Sequence, residues 1–92
     1  MNEVSVTDLY EAAYYLSNGC ELVEIIKQKL DGKINCQLVF SGPEIIKLQL
    51  AFFQGKAVIN LFSFRRAFGQ VNTLVFEAKK KAKARMDNGG EL

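Results

Sequence analysis

Leu22-Val23-Glu24-Ile25-Ile26-Lys27-Gln28-Lys29-Leu30-Asp31-Gly32-Lys33-Ile34-Asn35-Cys36-Gln37-Leu38-Val39-Phe40 is the stretch that decides the fold. Two β-prone runs flank Asp31-Gly32. An Asp-Gly pair in that setting signals a hairpin, because a two-residue type I′ loop needs positive φ at both central positions. With Asp31-Gly32 as the loop, Leu30 faces Lys33, Ile25 faces Leu38 and Val23 faces Phe40. Val23, Ile25, Cys36, Leu38 and Phe40 then share one apolar face, and the stems of Lys27 and Lys29 lie at its wet end. The opposite face carries Glu24, Gln28, Asn35 and Gln37 but also Leu22, Ile26 and Val39, which require cover. Cys20 falls opposite position 43 and Cys36 opposite Lys27, so the two thiols are not cross-strand partners.

Working outward, Val4-Ser5-Val6 reads as a short extended lead-in. Thr7 or Asp8 caps a first helix, and Asp8 with Glu11 forms the pattern of a capping box. Leu9, Ala12, Ala13 and Leu16 recur at helical spacing, with Tyr10 and Tyr14 on an adjacent strip, and Asn18-Gly19 ends the helix. Downstream, Ser41-Gly42-Pro43 stops the second strand and Pro43 opens a second helix. Its apolar sector is broad, comprising Ile45, Ile46, Leu50, Phe52 and Phe53, and Gly55 closes it. Lys56 to Ile59 is β-prone and predicts an edge strand. Asn60, with Ser63 as rival, caps a long third helix from about Leu61 to about Arg85. Phe64, Phe68, Val71 and Val75 form its stripe, flanked by Leu61 and Leu74. Gly69 inside it marks a close crossing or a kink. Residues 87–92 lack an apolar anchor and read as a disordered tail. The expected architecture is α+β, a single domain over residues 1–86: helix, antiparallel hairpin, helix, short edge strand and long C-terminal helix, packed on one sheet face.

Composition narrows the chemistry. The chain has 92 residues, enough for one domain with a thin core. It has no His, which removes the commonest general base and metal ligand. Two cysteines make neither a disulfide framework nor a zinc motif. There is no signal-peptide pattern and no apolar run of the ~20 residues a membrane helix needs, so the expected compartment is the cytoplasm and no membrane partner is expected. Charge is uneven. Before Lys27 there are acids only, whereas from Leu61 onward seven basic residues outnumber three acidic ones.

No cofactor, metal, small-molecule or catalytic site is expected. Cys36 points into the core on the hairpin register and has no His to activate it. Asp8, Glu11, Glu21 and Glu24 have no metal-loop spacing. Tyr10, Tyr14 and Tyr15 sit in the acidic third, where phosphates are repelled, and read as packing residues. Asn18-Gly19, Asp31-Gly32, Ser41-Gly42 and Gly55 are turns and caps, not a phosphate loop. One feature reads toward a ligand: Lys79, Lys80, Lys81, Lys83 and Arg85, a cationic helix end able to follow a phosphate backbone, although those positions spread around the helix.

The order and spacing of several residues resemble a small prokaryotic and phage family of domains of unknown function. They are Thr7, Asp8, Leu9, Tyr10, Ala12, Ala13, Leu16 and Gly19, then Leu22, Val39 and Phe40, then Phe53, Gly55, Val58 and Asn60. The resemblance covers roughly residues 5–78. It departs from the family at Leu61, where Pro is common, and at Phe53, where Tyr is common. It implies a shared fold and no activity. The function expected is a non-enzymatic interaction module, a homodimer or a subunit of an assembly, that buries one of two apolar sets, Leu22, Ile26 and Val39 on the sheet or Phe62 and Phe76 on the last helix. The alternative is an accessory protein binding nucleic acid weakly, and without sequence preference, through the basic helix end.

Overall fold

The computed structural model describes residues 2–90, with side chains through Lys83. The elements are β1 (Glu3–Val6), α1 (Leu9–Ser17), β2 (Glu21–Leu30), β3 (Lys33–Ser41), α2 (Ile45–Phe53) and α3 (Leu61–Gly90). The three strands form one antiparallel sheet in the order β1-β3-β2.

The hairpin turn is as read. Asp31 and Gly32 have φ of 52° and 78°, the pair of positive values that a type I′ loop requires. From Leu30↔Lys33 to Glu24↔Val39 the register follows the sequence reading. Beyond that it slips. A bulge at Val23 sets Leu22, not Val23, opposite Phe40. Leu22 therefore turns onto the core face and packs against it, whereas Val23 is exposed. Cys20 moves with the slip and meets Gly42, where a Cβ would stand 3.1 Å from its Sγ.

The third strand is β1, not the expected strand at 56–59. Val4 faces Phe40 and Val6 faces Leu38 along the free edge of β3. Residues 56–60 are coil, and Val58 is left largely in solvent.

Local signals explain the helices. The Asp8 carboxylate caps α1, accepting from the backbone N–H of Tyr10 at 2.8 Å and of Glu11 at 3.4 Å. Glu11 does not complete a capping box; its side chain turns inward instead. Both short helices end in Schellman turns: Cys20 N–H donates to Tyr15 O (3.1 Å) and Lys56 N–H to Ala51 O (2.8 Å), with Gly19 and Gly55 at positive φ. At Pro43-Glu44 the chain makes a turn, and α2 begins two residues after the proline. Asn60 caps α3, its Oδ1 accepting from Ser63 N–H at 3.0 Å. The helix is continuous through Gly69, and a Cβ there would meet nothing within 4 Å, so that glycine makes no close crossing within the chain. The backbone stays helical to Gly90, four residues into the stretch expected to be disordered, while Glu91 and Leu92 lie outside the described residues.

The core lies on one face of the sheet. Val4, Val6, Cys36, Leu38 and Phe40 meet Ala12, Tyr14 and Tyr15 of α1, Ile45 of α2, and Val71 and Val75 of α3. The stripe Phe64, Phe68, Val71 and Val75 expected on α3 faces inward, with Phe64 and Phe68 half-buried under Tyr10.

Candidate interaction surfaces

Sequence reasoning singled out groups with chemical potential, and the fold separates most of them. Cys36 and Cys20 are both buried and unpaired, and burial pushes the Cys20 thiol above its ordinary range. Among the described residues, no three of Cys, Asp and Glu gather into a metal-binding group. Asp8 caps a helix, and Glu21 and Glu24 are exposed along β2.

Glu11 is the one buried charged residue among those described. The hydroxyl of Tyr15, one turn on, donates to its Oε2 at 2.6 Å. A buried carboxylate without a donor costs several kcal/mol, so this pair is a structural necessity once Glu11 faces inward. Burial first, and then the Glu11 carboxylate, raise the Tyr15 phenol far above its ordinary value. Tyr14 is raised too, by burial and by Cys20. Tyr14 and Tyr15 are thus packing residues, Tyr14 against Phe52 and Tyr15 against Phe40. Tyr10 stays exposed and stacks on Phe68 at 5.0 Å.

The residues expected to form a contact surface divide. Leu22 packs on the core and Val39 is buried within the monomer, so neither offers a free face. The bulge explains the first: it moved Leu22 to the other side of the sheet. Ile26 is half-buried on the outer face. Phe62 and Phe76 are 83% and 67% exposed, on the outward side of α3. Of the expected cations, Lys79, Lys80, Lys81 and Lys83 are exposed, and the side chain of Arg85 lies outside the described residues.

A larger apolar surface went unread in the sequence. The broad sector of α2 is two stripes. Ile45, Leu48 and Phe52 face the core, and Ile46, Leu50 and Phe53, at i, i+4 and i+7, face solvent. Val58 and Ile59 in the coil and Leu61 at the start of α3 continue the exposed run. The available signal was the width of the sector, which exceeds what one helix of nine residues can bury on a single side.

No family model, curated protein or solved structure matches the chain. No described helix is long and apolar enough to cross a membrane.

Proposed function

We propose that this chain is a small non-enzymatic interaction module that works as a homodimer through the run Ile46, Leu50, Phe53, Val58, Ile59 and Leu61. The observation that carries the reading is the exposure of that run, 44–84% for each of the six. Six exposed apolar residues within the sixteen from Ile46 to Leu61 are the kind of surface that marks a protein interaction site.

A second copy fits this run better than a charged partner does. Glu44 and Lys47, 3.9 Å apart, offset each other beside it, while Lys56 and Arg65 stand exposed at its other end. A two-fold dimer, the arrangement most homodimers adopt, keeps such cations on the polar rim while the apolar side chains meet. Nothing in this reading uses catalysis: both thiols are buried and the inward carboxylate is engaged by Tyr15. Light scattering on the full chain over a range of concentrations tests it. A mass rising from one chain toward two supports the module, and a one-chain mass at the highest concentration overturns it.

A further inference from the structure

The outward side of α3 repeats itself. Phe62 is followed three and four residues later by Arg65 and Arg66, and Phe76 by Lys79 and Lys80, with Lys83 one turn further. The two sets lie fourteen residues apart, close to four helical turns, so both occupy the same side of the helix about 21 Å apart. All seven side chains are exposed. Leu61, Phe62, Arg65 and Arg66 line one shallow depression. Asn72, Thr73, Phe76, Glu77, Lys79 and Lys80 share another. Glu77 is the one acid lining it, against the two lysines, and Lys81 falls on a neighbouring flank. Among the described residues, none of the five cations is tied up in a salt bridge.

An exposed ring with cations one helical turn away is the combination that single-strand-binding surfaces use. We infer that this side of α3 binds single-stranded nucleic acid, with a base stacked on each of Phe62 and Phe76 and the adjoining phosphates held by Arg65, Arg66, Lys79, Lys80 and Lys83. Ring faces accept any base, and cations one helical turn away reach the backbone that carries it. The charge excludes a second copy of the same face, which would set like charges against each other. The polarity disfavours a membrane: an interfacial helix needs a continuous apolar stripe, and the stripe of α3 is spent on its own core at Phe64, Val71 and Val75. Gly69, Asn72 and Thr73 between the two rings are polar or small. The surface adjoins the α2 run at Leu61, but Phe76, Lys79 and Lys80 lie about four helical turns further along α3, so variants there test it without altering the dimer face.

The experiment is fluorescence anisotropy of a labelled twenty-residue oligothymidylate with the full chain at several salt concentrations. Binding is expected to be weak at physiological salt, about 10⁻⁴ to 10⁻⁶ M, with a log–log salt slope near −3.5 at about −0.7 per cation. Phe76→Leu should weaken binding roughly 5- to 100-fold, and Phe76→Tyr should keep it, because the ring and not its hydrophobicity is required. Lys79→Glu with Lys80→Glu should abolish binding at moderate salt, and Lys33→Glu on the distant hairpin should not. Equal binding of a duplex with no effect of Phe76→Leu would overturn the proposal, as would absence of binding at low salt. Capture by phosphatidylserine vesicles where the oligomer fails would also overturn it, in favour of a lipid surface.

Discussion

Leu22 sits opposite Phe40, although an unbroken hairpin would put Val23 there. The bulge between Leu22 and Glu24 puts the larger Leu22 on the covered side of the sheet in place of Val23, which is left in solvent. The stability of three variants should follow this register. Phe40→Ala should cost about 3–5 kcal/mol and Leu22→Ala about 2, whereas Val23→Ser should stay within about 0.5. Urea unfolding followed by circular dichroism measures all three. A Val23→Ser loss as large as that of Leu22→Ala would restore the unbroken register.

The glycines of the helices should respond with opposite signs. Gly69 lies inside α3 with open space beside it, so Gly69→Ala should stabilise the fold by up to about 1 kcal/mol. Gly19 holds φ at 82° in the Schellman turn of α1, and Gly19→Ala should destabilise by about 1 kcal/mol or more. Thermal melts of the two variants give the signs directly.

The Glu11–Tyr15 pair makes a pH prediction. Folded Tyr15 keeps its proton to higher pH than the unfolded chain does, because of burial and then Glu11, and Tyr14 and Cys20 shift the same way. Above pH about 9 to 10 the unfolded state therefore binds fewer protons than the folded one. Stability should hold below that range and fall as pH rises through it, by at most about 1.4 kcal/mol per unit for each group. Tyr15→Phe should flatten the alkaline fall. It should also cost about 1–3 kcal/mol at neutral pH, because Glu11 is left buried without its donor. Denaturation midpoints from pH 7 to 11 would show both effects.

Periodicity and turn chemistry carried most of this fold. The Asp31-Gly32 loop, the Asp8 and Asn60 caps and the α3 stripe are local, and local rules found them. What escaped depended on partners distant in sequence. Nothing near Val23 announces a bulge; it follows from fitting Leu22 over Phe40. Val4-Ser5-Val6 and Lys56 to Ile59 were both β-prone, and only the free edge of β3 decides between them. Glu11 read as a cap until its inward partner, Tyr15, was in place. The surfaces were the least legible. Arg65 and Arg66 join the lysines only once the core side of α3 is fixed, and the solvent stripe of α2 separates from the buried one only when β1 and α1 have claimed Ile45, Leu48 and Phe52.

The central claim is self-association through the α2 run, and sedimentation equilibrium tests it most directly. The full chain should fit a monomer–dimer equilibrium at micromolar to millimolar concentration. Phe53→Asp with Val58→Asp should remain folded by circular dichroism, since both residues are largely in solvent, and should sediment as a monomer throughout. The full chain and the folded variant sedimenting alike, whether both as monomers or both as dimers, would contradict the account.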